Sequence, residues 1–131
     1  MNHRILKSII FDQHEIIKNF HINKREYNFD LNANYVLVGL RRAGKSTLLY
    51  KIAQDLIKQG IEWNQIIYIN FEDERLTDFT IKDFNDILLV QSELSNKRGY
   101  FFFDEIQNID GWEKFARRLA DSKEHIFITG S

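Results

Sequence analysis

The stretch from residue 39 to residue 47 combines glycines, a lysine and hydroxyl side chains at a spacing that suits phosphate binding. It reads Gly39-Leu40-Arg41-Arg42-Ala43-Gly44-Lys45-Ser46-Thr47. The first eight residues match the phosphate-binding pattern G-x-x-x-x-G-K-[ST]. Glycines let main-chain N–H groups approach phosphate oxygens closely, a lysine can contact the β- and γ-phosphates, and a serine hydroxyl can bind Mg²⁺. The stretch therefore predicts a nucleotide-phosphate site, with Ser46 as a magnesium ligand.

The residues on either side of this loop have the pattern that the motif requires. Residues 34–38 are apolar and rich in β-branched side chains, which predicts a buried strand. After Ser46, apolar residues recur at helical spacing as far as Gly60, a residue that suits a helix C-terminus. A strand, a loop and a helix in this order provide the context in which the motif binds phosphate.

A second pattern with chemical meaning joins an apolar run to two acids. Residues 100–103 read Tyr-Phe-Phe-Phe and are followed at once by Asp104 and Glu105. A carboxylate at the carboxyl end of a parallel strand lies at the crevice where such sheets bind ligands. We expect Asp104 to serve the same Mg²⁺ ion as Ser46, and Glu105 to accept a proton from an attacking water molecule.

The order of elements predicts the fold class. Further buried strands are expected at 66–71 and 126–129, a helix begins after a Thr80 cap and continues through Leu94, and Asp110 is the expected cap of another helix. Alternation of strands and helices predicts an α/β fold with a mainly parallel sheet. Thr129 and Ser131 lie at the end of the last strand, where one of them can hold the attacking water or the γ-phosphate.

The first 33 residues form a leader without recognisable chemistry. Asp12 to Glu15 resembles a capping box, with Phe11 and Ile16 as its hydrophobic staple, which predicts two short helical pieces that break near Asp12. Alternating polar and apolar residues at 25–31 predict a strand. We therefore divide the chain into a leader, residues 1–33, and a partial nucleotide-binding core, residues 34–131.

Composition limits the possible cellular location and partners of the protein. The 131 residues contain no cysteine, and their formal net charge is −1. The charge gives no general sign of a nucleic-acid partner. No apolar run approaches the roughly 20 residues of a membrane span, and the amino terminus lacks a signal-peptide pattern. We expect a cytoplasmic protein without a membrane partner.

With these motifs the chain resembles the AAA+ division of P-loop ATPases, and within it the bacterial and archaeal AAA ATPases that often carry a C-terminal nuclease-related domain of unknown function. Three segments carry the resemblance: residues 38–46, residues 102–107 and residues 128–131. It implies a three-layer P-loop NTPase sandwich, ATP and Mg²⁺ as ligands, and a sheet in which the Asp104 strand is not next to the P-loop strand. By similarity Lys45 and Ser46 match the Walker A pair, Asp104 and Glu105 match the Walker B pair, and Thr129 or Ser131 falls at sensor 1. The resemblance implies Lys45, Glu105, Thr129 and Ser131 as catalytic residues and Ser46 and Asp104 as magnesium ligands.

The chain departs from that family after Ser131. The fifth strand, the helical lid and the arginine finger of the family would lie beyond this residue. We therefore expect an N-terminal fragment, truncated after the sensor 1 strand, with weak hydrolysis or none. Oligomerisation and any nucleic-acid or protein client are expected of the full-length protein.

The leading hypothesis is ATP binding, with Mg²⁺-dependent ATP hydrolysis in the full-length protein. Two alternatives stay open. A P-loop phosphotransferase would need a second substrate pocket, whereas a nucleotide-dependent switch would bind ATP tightly and turn it over little.

Overall fold

A computed structural model describes residues 1–21, the main chain of residues 35–38, and residues 44–130. Its helices are α1 (His3–Asn19), α2 (Lys45–Lys58), α3 (Phe84–Leu94) and α4 (Trp112–Asp121). Its strands are β1 (Tyr35–Val38), β2 (Ile66–Asn70), β3 (Tyr100–Asp104) and β4 (His125–Gly130). The strand predicted at 25–31 and the P-loop residues Gly39 to Ala43 lie outside the described residues, as does Ser131.

The four strands form one parallel sheet in the order β1-β4-β3-β2. The predicted α/β class and parallel sheet are confirmed. The β4 strand lies between β1 and β3, so the strand that ends in Asp104 is not next to the strand that precedes the P-loop, as the resemblance implied. All four strands point the same way, so their carboxyl ends meet along one edge of the sheet.

Helices cover both faces of the sheet and make three layers. On one face, α2 packs Leu49, Ile52 and Leu56 against a cluster that includes Phe102 and Phe127. On the other face, α3 and α4 enclose a larger core that contains Phe84, Phe103 and Phe115. The alternation of Ile66 and Tyr68 with Ile67 and Ile69 on β2 explains why both faces are apolar, since successive side chains of a strand point to opposite sides.

The leader helix α1 joins the two cores around the outer edge of β2. Leu6, Ile9 and Ile10 belong to the core under α3 and α4, whereas Ile17 belongs to the core under α2. The His14 ring donates from Nε2 to the main-chain oxygen of Ile66 at 2.6 Å. A strand edge exposes hydrogen-bonding groups that favour unwanted pairing, and this contact occupies one of them.

The predicted break near Asp12 is wrong, because α1 is one continuous helix from His3 to Asn19. Its buried positions continue through this region as a single stripe at helical spacing, and burial of that stripe outweighs a local capping signal. Phe11 and Ile16, the predicted staple, are 43% and 50% exposed. The Asp12 carboxylate instead pairs with Arg75 at 2.8 Å.

The structure also corrects the start of α4. The residue before the helix is Gly111, with φ of 83°, and Asp110 does not cap it. Only glycine adopts this left-handed conformation without steric cost. The Thr80 cap is confirmed, since its main-chain N–H donates to Asp83 at 2.8 Å, but the first turn that follows is a 3₁₀ turn and α3 begins at Phe84.

Replacing Ile17 by alanine tests whether α1 is part of the fold. Ile17 is fully buried, so we expect the free energy of unfolding to fall by about 2–5 kcal/mol. The neighbouring Ile16→Ala change removes the same atoms from an exposed position and should cost less than about 0.5 kcal/mol. Urea denaturation measures both, and equal costs would show that α1 is not packed on the sheet.

We expect the buried His14 to make the free energy of unfolding depend on pH. Burial is the largest cause that lowers its pKa, the Ile66 hydrogen bond opposes this, and Lys18 adds to it. The unfolded chain therefore binds a proton more readily than the folded chain, and the free energy of unfolding should fall as the pH drops below about 6.5. Compared with wild type, a His14→Gln variant should show a shallower loss between about pH 7.5 and about pH 5.5. The exposed His21→Gln variant is the control, and a wild-type slope in His14→Gln would contradict the assignment.

Candidate nucleotide and magnesium site

Polar side chains from three separate elements meet at the carboxyl edge of the sheet. Asp104 ends β3, Thr129 lies near the end of β4, and Lys45 and Ser46 begin α2. In the sequence Ser46 lies 58 residues before Asp104, and Asp104 lies 25 residues before Thr129, but the parallel sheet brings these groups together. The structure thus assembles the described members of the predicted site.

The start of α2 has the geometry that anion binding requires. Gly44 precedes the helix with φ of 85°, in the left-handed region. Apart from its chain neighbours, no described residue has an atom within 4 Å of the place where a Cβ would stand, so the left-handed main chain is what favours glycine here. The first N–H groups of a helix have no partner within the helix, and they carry the positive end of its dipole. A phosphate group is the natural ligand of such a helix end.

The Lys45 side chain is buried and reaches across to β4. Its Nζ donates to the main-chain oxygen of Gly130 at 2.8 Å, and only 7% of the residue is exposed. This contact joins the P-loop helix to the strand that carries Thr129. The ammonium group is thereby held at the carboxyl edge of the sheet.

The Asp104 carboxylate is the centre of the site. It is fully buried and accepts hydrogen bonds from three hydroxyl groups. Ser46 and Tyr68 donate to Oδ2 at 2.6 and 2.7 Å, and Thr129 donates to Oδ1 at 2.5 Å. Burial of a carboxylate is costly unless its oxygens are hydrogen-bonded. Three donors from three elements meet that requirement.

Thr129 connects the two predicted acids. Its Oγ1 donates to Asp104 and accepts the main-chain N–H of Glu105 at 3.0 Å. The same hydroxyl therefore fixes the carboxylate of one residue and the backbone of the next. Of the two residues expected at the end of the last strand, Thr129 contacts the acids, while Ser131 lies outside the described residues.

Glu105 has an unusual backbone conformation. Its φ and ψ are 56° and 42°, which is the left-handed region, and the residue is not glycine. Such a conformation costs of order 1–3 kcal/mol and persists only where neighbouring groups impose it. Here Thr129 holds the N–H, and the Asn108 side chain donates to the carbonyl oxygen at 3.0 Å. The Glu105 carboxylate accepts a hydrogen bond from Gln107 Nε2 at 2.5 Å.

A pocket of about 250 Å³ lies between the helix start and Glu105. It is lined by Gly44, Lys45, Ser46, Thr47 and Glu105. The lining contains a cation, two hydroxyl groups and a helix N-terminus, and a carboxylate faces them. This combination suits a phosphate chain with a water molecule beside it.

The donor set also fits a magnesium ion. Mg²⁺ prefers oxygen ligands and is usually held by one or two carboxylates or hydroxyl groups together with substrate phosphates and water. Ser46 Oγ and Asp104 Oδ2 are 2.6 Å apart and form a hydrogen-bonded pair beside the pocket. The two residues predicted as metal ligands are therefore neighbours.

Tyr68 is the site residue that the sequence did not reveal. It appeared there only as a member of an apolar strand, yet its hydroxyl reaches Asp104. Burial, and then the Asp104 charge, raise its pKa well above the ordinary value, so the hydroxyl stays protonated and donates. The register pairs Tyr68 with Phe102 and Asn70 with Asp104, so the contact is diagonal. A polar group within an apolar strand next to the Asp104 strand was the available signal.

Helices of membrane-spanning length and apolarity do not occur in the described parts of the chain. No solved structure gave a significant match to the chain.

Two curated relatives are similar to the chain. An uncharacterized protein of Methanocaldococcus jannaschii is 40% identical over 129 residues, which cover 97% of this chain and 28% of that protein. An uncharacterized protein of Haemophilus influenzae is 39% identical over 98 residues, covering 73% of this chain and 24% of that protein. The chain thus spans between about a quarter and a third of the length of these relatives.

The family match covers both the sheet and the residues of the candidate site. The model of a family described as an AAA domain covers residues 32–131, which include the P-loop, Asp104, Glu105 and Thr129. Membership of this family indicates nucleotide binding. The chain belongs to the AAA domain family.

Proposed function

We propose that the chain binds ATP with Mg²⁺, and that the complete protein hydrolyses ATP. The observation that carries the proposal is the 2.6 Å hydrogen bond between Ser46 and Asp104, which places the P-loop hydroxyl against the carboxylate of β3. A phosphate-binding loop alone would support only anion binding. A carboxylate beside its hydroxyl adds the metal-binding half of an ATPase site.

In this proposal the phosphate chain lies against the start of α2. The main-chain N–H groups of residues 39–47 and the Lys45 ammonium bind phosphate oxygens, and Arg41 or Arg42 adds positive charge. Ser46 and Asp104 would hold Mg²⁺. When bound, Mg²⁺ neutralises charge on the phosphate oxygens.

The proposed reaction is phosphoryl transfer to water. Glu105 accepts a proton from the water as its oxygen bonds to the γ-phosphorus, the bond to the β–γ bridging oxygen breaks, and ADP leaves. Lys45 stabilises the negative charge that develops on the γ-phosphoryl group. Thr129 orients the acids, and Ser131 is a second candidate for holding the γ-phosphate or the water.

A nucleotide-dependent switch is the second candidate function. The observation that favours it is the 2.5 Å hydrogen bond from Gln107 to Glu105, which occupies one oxygen of the proposed base. A glutamate held in this way binds water less readily. The switch would bind ATP without turning it over, and it would act through a partner.

The cellular setting is also a proposal. The lack of cysteine in 131 residues fits a reducing cytoplasm. Self-association and a nucleic-acid or protein client are proposed for the complete protein, by analogy with AAA+ proteins.

Replacing Lys45 by methionine should weaken ATP binding while it keeps the packing of the side-chain stem. Loss of charged hydrogen bonds of this kind weakens affinity about 10- to 100-fold. Lys51→Met on the same helix is the matched control, because Lys51 pairs with Asp55 at 2.8 Å and does not line the pocket. Isothermal titration calorimetry with ATP and Mg²⁺ compares the three proteins. Equal affinities would rule out the P-loop as the binding site.

Replacing Glu105 by glutamine should leave ATP binding intact and slow hydrolysis by about 10²- to 10⁴-fold, the usual contribution of a general base. Glu113→Gln, at an exposed position of α4, is the control. A single-turnover assay with protein in excess over γ-labelled ATP detects even slow hydrolysis. If the Glu105 change leaves the rate of hydrolysis unaltered, Glu105 is not the general base. If the wild type binds ATP tightly without hydrolysing it, the switch is favoured.

A further inference from the structure

A row of buried and partly buried polar groups runs from Asp104 to the leader helix through the core under α2. Its members are Tyr68 on β2, Tyr50 on α2 and Gln13 on α1. Most of their surroundings are apolar, since the same core contains Ile17, Ile52 and Phe102. Polar groups in such a place are costly unless they are paired with one another.

Packing fixes the Tyr68 hydroxyl in place. Tyr68 is fully buried, and its ring stacks on Phe102 with centroids 5.8 Å apart. On another side the Tyr50 ring lies 5.3 Å away. The hydroxyl donates to Asp104 Oδ2, the same oxygen that accepts from Ser46. A ring held in this way limits rotation of the carboxylate.

Phenylalanine would fill the same core space without a buried hydroxyl. The hydroxyl therefore adds nothing to packing, and the hydrogen bond to Asp104 is what compensates its burial. Groups that hydrogen-bond a metal ligand orient it, and their loss typically lowers metal affinity by about 10- to 100-fold.

The row continues outward to α1. Gln13 donates from Nε2 to the Tyr50 hydroxyl at 3.0 Å, and Gln13 is only 8% exposed. The Tyr50 and Tyr68 rings are in contact, with centroids 5.3 Å apart, and this contact joins the two halves of the row. A side chain of the leader helix thus lies at the far end of the row that begins at the proposed magnesium ligand.

We propose that Tyr68 is a positioning residue for the Asp104 carboxylate, and that Tyr50 and Gln13 make the metal site depend on the docking of α1. This inference rests on the proposed binding of nucleotide and Mg²⁺. Tyr68 touches neither ligand and acts through Asp104. Metal-dependent nucleotide binding should therefore weaken when the hydroxyl is removed, whereas metal-independent binding should not.

The test compares ADP affinity in Mn²⁺ with ADP affinity in EDTA, measured by calorimetry on the chain. The dissociation constant in EDTA divided by the dissociation constant in Mn²⁺ reports the contribution of the metal. In Tyr68→Phe this ratio should fall by about 10-fold or more, with the EDTA value unchanged. Tyr100→Phe is the matched control, because Tyr100 lies at the opposite end of β3 and stacks on His125. Its ratio should equal that of the wild type.

The outcomes separate this inference from the proposed function. A wild-type chain that binds ADP neither with nor without Mn²⁺ would overturn both. A wild-type ratio retained in Tyr68→Phe would overturn the inference alone. Equal weakening in Mn²⁺ and in EDTA would show a structural role for Tyr68 and would also overturn it.

A second variant keeps the proposal testable if Tyr68→Phe does not fold, as thermal melting would reveal. Tyr50→Phe removes the next hydroxyl, farther from Asp104, and should lower the metal-dependent ratio by less than about 10-fold. A ratio identical to that of the wild type would contradict the link between α1 and the metal site.

Discussion

Burial of the Asp104 carboxylate is the constraint on which the rest of the site depends. A carboxylate with no exposed surface must find hydrogen-bond donors, and here three hydroxyl groups supply them from α2, β2 and β4. Each hydroxyl reaches the Asp104 carboxylate only if its own helix or strand is correctly placed. The position of α2 over the sheet, the pairing of β2 with β3 and the placement of β4 beside β3 are therefore all coupled to one charge. An ion that shares this carboxylate would act on all three elements together.

The leader helix belongs to the same physical unit as the sheet. It covers the outer edge of β2, where His14 binds the main-chain oxygen of Ile66, and it contributes to the cores on both faces. A helix that lies across an edge in this way joins the layers on the two faces of the sheet. Its amino-terminal end is also tied to α3, because His3 contacts Asp86 and Glu93, whose carboxylates raise the pKa of its ring.

The sequence predicted what depends on local pattern. Apolar runs bounded by charge marked β2 and β3, and the spacing of Gly44, Lys45 and Ser46 indicated phosphate binding. What it did not predict depends on contacts between distant segments. The capping signal at Asp12 did not break the helix, because α1 buries a continuous apolar stripe. The sequence does not show that this stripe packs at the edge of β2. Likewise, the partner of the Tyr68 hydroxyl follows from a diagonal relation between two strands, which a single strand does not encode.

The left-handed backbone of Glu105 lowers the stability of the fold at a residue whose carboxylate is the proposed base. Glycine would adopt the same φ and ψ without steric cost, so removing this side chain would relax the main chain while it abolished the carboxylate. Glutamate at this position therefore carries a conformational cost that glycine would avoid, so the main chain here is a local store of strain beside the pocket.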